Sequence, residues 1–370
     1  MAIPLVRVWS NVLKITNKLN LPQAIVNAVS NDDYSRGPSD ISVTSLIAPP
    51  RIGALLTVHG DDIEEDASDR IFSLFGQAIH KVLERAESTA IAEQRLYMQV
   101  PGPLGTWTVS GAMDRIEAQP LDDGSVVIQD YKTASVNEMI YGVKPEREMQ
   151  LNVYKVLAEL NGYRVSGLEA IFILRDWSKV KAATAANVPR FGDAPPAYPQ
   201  EHVQRVALKM WEPEQAYAFI AERVAMHQQA REAYPYVTSD QAALPECSDE
   251  DRWAREPQFV AVKPGAARAS KVEVSQEAID AWITEHSKAA DYVIEAKGDK
   301  FATIKSGAKR ASKTFDTEAE ASAWVAGQAE TYEAQVRPGV SLRCLYYCSV
   351  APICEQFKAI QAEGAAGVEE

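Results

Sequence analysis

Apolar residues recur with a helical period from Ile71. Ile71, Leu74, Phe75, Ala78, Ile79 and Val82 fall at i, i+3, i+4, i+7, i+8 and i+11, which predicts a helix whose apolar stripe faces a core. Ser68 or Asp69 is placed to cap it. Upstream, residues 1–40 read as an amphipathic, helical lead-in, and ISVTSLIAPPRIGALL as a β-prone run broken by Pro49-Pro50. Downstream, AEQRLYMQV and GTWTVSGAMDRIEA predict two strands joined through Pro101-Gly102-Pro103, and SVVIQDYKTA a third, entered through the turn Asp122-Asp123-Gly124. REMQLNVYKVLAELNG predicts a helix stopped by Asn161-Gly162, and GLEAIFILRDW a buried strand. The Ala- and Pro-rich stretch 182–200 reads as a loop, and 212–233 as a long helix with Pro213 in its first turn. Helix, three strands, helix, strand, helix is the order of an α/β layer structure, a mixed sheet covered by helices.

Further on, FVAVKPGAARASKVEVSQEAIDAW from Phe259 and FATIKSGAKRASKTFDTEAEASAW from Phe301 align without a gap at an offset of 42, with ten identities in 24 positions. This predicts a duplicated ββα-like module over 259–282 and 301–324. Each copy offers a basic set, Lys263, Arg268 and Lys271, then Lys305, Lys309, Arg310 and Lys313, beside Trp282 and Trp324. The tryptophans read as core residues of small units. The basic residues are either a solvated face or a surface for a nucleic-acid backbone.

Composition narrows the class. The chain has 370 residues, 46% hydrophobic and 24% charged, which is ordinary globular composition. No run reaches the roughly 20 apolar residues of a membrane span, and the N-terminal residues do not read as a secretory signal. The expected location is the cytoplasm. A net charge of −13 excludes a uniformly basic surface but not local basic patches. Of the four cysteines, Cys344, Cys348 and Cys354 crowd near the C-terminus and Cys247 stands apart. That pattern suggests metal or cluster ligation in a reducing compartment.

The chemistry concentrates on the third strand. Alternation puts Val126, Ile128, Asp130 and Lys132 on one face, so a carboxylate and an ammonium emerge together behind two core residues. The preceding strand delivers Asp114. Two nearby aspartates repel, and a hard divalent cation such as Mg²⁺ resolves that conflict. A lysine beside the metal orients an attacking water and offsets charge on a phosphorane-like transition state. Taken alone, Asp-x-Lys on a strand is an ordinary solvated ion pair. His80 lies on the helix face opposite Phe75 and Val82, where it reads as either a surface histidine or a ligand at a cleft edge. Gln150 and Tyr154, at i and i+4, share a helix face.

Taken together, Gly76-x-x-x-His80, Gly111-x-x-Asp114, Asp130-x-Lys132 and Gln150-x-x-x-Tyr154 resemble the motif series of the PD-(D/E)XK nuclease superfamily. More narrowly the series looks like the RecB-like exonuclease branch, which includes the CRISPR-associated iron–sulfur exonucleases. The likeness spans roughly residues 40 to 180 plus the cysteines. It implies a restriction-endonuclease-like core, placed over 41–245, and a cysteine cluster region over 337–370, while the internal repeat makes 246–336 an inserted module. It further implies Asp114, Asp130, His80 and the Tyr131 carbonyl as ligands of Mg²⁺ or Mn²⁺, Lys132 as the residue that positions the water, and Gln150 and Tyr154 as supports that contact the strand. Cys344-x3-Cys348-x5-Cys354 with Cys247 resembles the family's [4Fe–4S] ligands, with zinc as the alternative. The spacing departs from the family's usual x2, and the lone cysteine follows the core instead of preceding it. The implied function is metal-dependent hydrolysis of DNA at single strands or ends, in replication, recombination or repair. The setting would be a phage-encoded enzyme in the host cytoplasm. No phosphate-loop signature of a helicase motor occurs, so the chain either works on DNA ends already open or borrows a helicase or recombination protein as partner. The competing readings are a non-catalytic nucleic-acid-binding module on the same fold and a redox-sensing iron–sulfur protein.

Overall fold

The computed structural model describes residues 14–30, 37–86, 91–118, 124–187, 197–233 and 241–366. The chain divides into two compact units, Met1–Cys247 with Cys348–Cys354, and Ser248–Tyr347 with Glu355–Glu370.

In the first unit, β1 (Lys14–Thr16) precedes α1 (Gln23–Ser30) and pairs in parallel with β3 (Glu64–Asp66), so the N-terminal stretch is not wholly helical. The run read as β-prone holds only a two-residue strand, β2 (Ile41–Ser42), and then two helices, α2 (Val43–Ile47) and α3 (Pro50–His59). The reason is local. The Ser42 hydroxyl accepts from the Ser45 N–H and caps α2, while Pro50, read as a break, occupies the first turn of α3, where its missing N–H costs nothing. Next come α4 (Ile71–Ala86), β4 (Ile91–Gly102), β5 (Gly105–Ala118) and β6 (Val126–Ala134). The predicted turn residues Asp122 and Asp123 lie outside the described residues. A short helix α5 (Asn137–Ile140), α6 (Pro145–Leu160), β7 (Val165–Leu174), α7 (Lys179–Ala186), β8 (Val203–Ala207) and α8 (Pro213–Ala233) complete the unit. Helix α7, capped by Ser178, takes the start of the stretch read as loop, and β8 takes residues assigned to no element.

The sheet runs β2-β5-β6-β7-β8, with β4 also paired to β5. It is mixed: β2–β5 and β6–β7 are parallel, while β4–β5, β5–β6 and β7–β8 are antiparallel. Residues of α2, α6 and α8, among them Leu46, Leu151, Leu157, Ile220 and Val224, pack with Val109, Met113, Ile128 and Leu168 of the strands in one apolar core. That burial is the main source of the unit's stability. The pairing of β5 with β6 stops at Arg115–Gln129. The next position in register would set Asp114 opposite Asp130, and there the ladder opens.

The second unit begins with α9 (Asp249–Arg252) and β9 (Ala254–Arg255). β10 (Gln258–Val262), β11 (Ala269–Glu273) and α10 (Gln276–His286) follow, then β12 (Tyr292–Lys297), β13 (Lys300–Lys305), β14 (Lys313–Phe315) and α11 (Glu318–Ala326). After β15 (Glu333–Arg337) come β16 (Val340–Ser341), α12 (Leu342–Tyr346) and α13 (Glu355–Ala366). Two three-stranded antiparallel sheets result, β11-β10-β15 and β12-β13-β14. Only the first sheet is closed by a strand from far along the chain: β15, after α11, pairs with β10, whereas β12, β13 and β14 are consecutive. Between the sheets, the N–H and C=O of Lys288 exchange hydrogen bonds with those of Glu330 at 2.9 and 3.0 Å.

Candidate active site

Asp130 sits on β6 at 2% exposure, on the face that Ile128 gives to the core. Burial pushes its carboxyl above the usual range, against the pull of the neighbouring Lys132 ammonium, and Asp114 adds to the rise. Lys132 Nζ stands 2.6 Å from Asp130 Oδ2. That oxygen is buried and, among the described residues, meets no donor in regular hydrogen-bond geometry, so the ammonium is its close positive partner. A buried carboxylate is costly, and further positive charge beside it lowers that cost.

Asp114 enters the opening between β5 and β6. Its Oδ2 accepts the Tyr131 N–H at 2.8 Å, in place of a strand partner. Within a strand the N–H and C=O of one residue face the same neighbour, so the Tyr131 carbonyl faces the same gap. Asp114 Oδ1 lies 3.3 Å from His80 Nδ1. Asp114 accordingly raises the pKa of His80, chiefly through that hydrogen bond and against the effect of burial. The structure therefore brings His80, Asp114, Tyr131, Asp130 and Lys132 into one continuous chain of contacts.

Helix α4 reaches this place by an unexpected face. Phe75 and Val82, read as core-facing, are 50% and 62% exposed, and no residue of α4 is fully buried. Gly76 and His80 face the sheet instead: a Cβ at Gly76 would lie 3.5 Å from Thr133 Oγ1 at the end of β6. Ile71, Leu74 and Ile79 of the predicted stripe are half-buried beside Gly76 and His80, so the docked face is rotated away from Phe75 and Val82 and keeps part of the apolar stripe.

Gln150 and Tyr154 are both buried on α6, and Gln150 Nε2 donates to the Tyr154 hydroxyl at 3.0 Å. The Tyr154 ring lies on Gly111, where a Cβ would come within 2.5 Å of Cε1 and 2.9 Å of the Val43 side chain. The glycine of Gly-x-x-Asp thus makes room for the tyrosine of Gln-x-x-x-Tyr. Arg147, absent from the sequence-based set, belongs here too. It pairs with Glu138 at 2.9 Å, and its charge is felt at Asp130. Its signal was available, since Arg147, Gln150 and Tyr154 fall at i, i+3 and i+7 on one helix stripe.

Elsewhere the predicted residues are spread. In the second unit, Lys263 lies 3.9 Å from Glu330 and Lys271 3.0 Å from Glu273, while Lys313 lies over the Phe315 ring. Arg268, Lys305, Lys309 and Arg310 are exposed. Trp282 stacks on His286 and meets Tyr332, and Trp324 meets Tyr292 and Phe315. The four cysteines form no disulfide. Cys354 is buried, and Arg51, itself buried, directs Nε at its sulfur at 3.4 Å. Cys344 lies on α12 of the second unit, whereas Cys247, Cys348 and Cys354 belong to the first.

Among the described residues no group of three or more His, Cys, Asp or Glu side chains is gathered as a ready metal site. The donor set between β5 and β6 nevertheless fits a hard divalent cation: two carboxylates, one with an unsatisfied buried oxygen, a backbone carbonyl and an imidazole.

The model of the PD-(D/E)XK nuclease superfamily matches residues 62–355, most of the chain, and the protein belongs to that superfamily. Membership makes it a nuclease by family, in a superfamily that usually works with Mg²⁺ or Mn²⁺. The mixed α/β sheet flanked by helices agrees with the restriction-endonuclease-like fold. A search among curated proteins finds no match. A solved structure described as "Crystal structure of SSO0001" aligns at 12% identity with a TM-score of 0.35, covering 55% of this chain and 82% of that one. Among the described residues no helix is long and apolar enough to cross a membrane.

Proposed function

We propose that the protein is a metal-dependent DNA exonuclease that acts on single strands or duplex ends in replication, recombination or repair. The observation that carries this reading is the opening of the β5–β6 ladder at Asp114 and Asp130, with Lys132 at 2.6 Å from the Asp130 carboxylate. Asp114, Asp130, His80 and the Tyr131 carbonyl would hold Mg²⁺ or Mn²⁺, which when bound supplies Lewis-acid activation of water and of the phosphate. Lys132 orients the attacking water and offsets charge on the phosphorane. His80 must lose the proton that Asp114 favours before it can ligate. Arg147 lends a further positive charge near Asp130. A separate motor is the expected source of opened duplex.

We also infer that the cysteines ligate a structural [4Fe–4S] cluster, with zinc as the alternative metal. The Arg51 N–H directed at the Cys354 sulfur supports this, since outer-shell donors to ligand sulfurs tune such sites. Metal and acid-labile sulfide analysis of anaerobically purified protein decides between them: iron with sulfide is expected, and a metal-free protein with full thermal stability overturns both. Residues 259–282 and 301–324 are read as two copies of one module. The reciprocal bridge of Lys288 and Glu330, residues at the same offset of 42, supports a two-fold relation between the copies.

The deciding experiment uses end-labelled single- and double-stranded DNA with Mg²⁺ or Mn²⁺, with Lys132→Ala beside the wild type. Metal-dependent release of nucleotides from ends, abolished in the variant, is expected. DNA binding without cleavage by either protein would leave the non-catalytic binding module as the function.

A further inference from the structure

Helix α4 presents an aromatic surface that nothing in the catalytic chain of contacts uses. Phe72 and Phe75 are 59% and 50% exposed, with ring centroids 6.2 Å apart in an edge-to-face arrangement. Neighbouring large apolar side chains in water usually mark a binding surface. This pair is tied to the site through two contacts. Phe72, Gly76 and His80 form one i, i+4 row of α4, with Gly76 against Thr133 and His80 against Asp114. At 1.5 Å per residue, Phe72 stands about 6 Å past Gly76 and about 12 Å from His80 along the axis. In addition, the Arg175 guanidinium lies 4.4 Å over the Phe72 ring and donates from Nη1 to the Thr133 carbonyl at 3.3 Å. Thr133 directly follows Lys132.

We propose that Phe72, flanked by Phe75 and backed by Arg175, is a stacking platform for an unpaired base of the strand whose phosphate is cut at Asp114, Asp130 and Lys132. The inference rests on the nuclease reading and adds a substrate preference to it. Exposed rings with a layered guanidinium suit a polyanion whose units carry flat π faces, since the ring takes the base and the fork of Arg175 takes a phosphate. Bases inside a duplex are already stacked on each other and have no face to offer, so the platform selects unpaired strands and frayed ends.

The test measures binding of a fluorescent single strand and of a blunt hairpin by anisotropy, in the Lys132→Ala background, which holds DNA uncut. Phe72→Ala should weaken the single strand about tenfold, the scale of one lost base–aromatic stack, and leave the hairpin and the melting temperature little changed. Phe72→Trp should keep full affinity. Phe72→Leu keeps the apolar bulk but has no π face, and it should lose affinity as the alanine does, which separates stacking from plain apolar contact. Arg175→Ala should weaken the single strand as well. A Phe72→Ala protein that binds the single strand as the parent does overturns the proposal, as does equal weakening of strand and hairpin. Intact strand binding with an altered sedimentation coefficient assigns the face to a second copy of the chain and also overturns it. A parent protein that binds neither DNA defeats the nuclease reading itself, a result distinct from all of these.

Discussion

The Asp130 carboxylate is held in a contradiction. Its strand buries it among core residues, which disfavours its ionised state, while Lys132 at 2.6 Å favours it. A buried charge pair of this kind is a weak source of stability and accords with the proposed metal role. Asp114, Asp130 and Lys132 were legible because the strand period fixes which side chains emerge together. The role of Gly111 was not legible, because its partner Tyr154 is distant in sequence and only the packing of α6 on β5 brings them together. Gly111→Ala is therefore expected to cost about 1–3 kcal/mol through overpacking, read as a lowered denaturant midpoint at unchanged slope. A substitution that leaves the midpoint in place would show that the ring moves aside freely.

At the scale of elements, α4 shows the limit of periodicity. The stripe from Ile71 to Val82 gave the right helix and only part of its docked face: Ile71, Leu74 and Ile79 are half-buried, Phe75, Ala78 and Val82 are exposed, and Gly76 and His80 meet the strands. Helix α2 shows a second kind of dependence. It is five residues long, and its last carbonyls have no partner within the helix. Side chains of α8 supply them: Arg223 donates to the Leu46 and Ala48 carbonyls, and His227 Nε2 lies 3.0 Å from the Leu46 carbonyl. His227 is buried, and burial, with Arg223 and Arg231 nearby, lowers its pKa from 6.5 to about 4. The unfolded chain thus binds a proton between pH 6.5 and 4 that the folded chain refuses. Stability from this group is whole above pH 6.5 and declines as pH falls through that window, by up to about 3 kcal/mol at 1.36 kcal/mol per unit. His227→Gln should flatten that part of the stability–pH curve. A curve of unchanged slope between pH 6.5 and 4 would refute the assignment.

For the whole molecule, the decisive feature is how the second unit is wired. The repeat was legible as an ungapped alignment, but the pairing of its strands was not, since an alignment says which segments are alike and not which ones touch. The strands β12, β13 and β14 form one sheet from a single stretch, Tyr292–Phe315, whereas the sheet of β10 and β11 takes its third strand, β15, from beyond both helices. Gln335→Pro in β15, where Gln335 faces Val260, should disturb the sheet of β10 and leave that of β13 in place. Hydrogen exchange is the readout: amides of β10 should lose protection while those of β13 keep theirs, and loss at both would mean that the two sheets open as one cooperative unit.

The late arrival of β15 bears on aggregation. Any polypeptide that stops before Glu333 leaves one side of β10 with a row of unpaired backbone groups, an edge that readily recruits a strand from another chain.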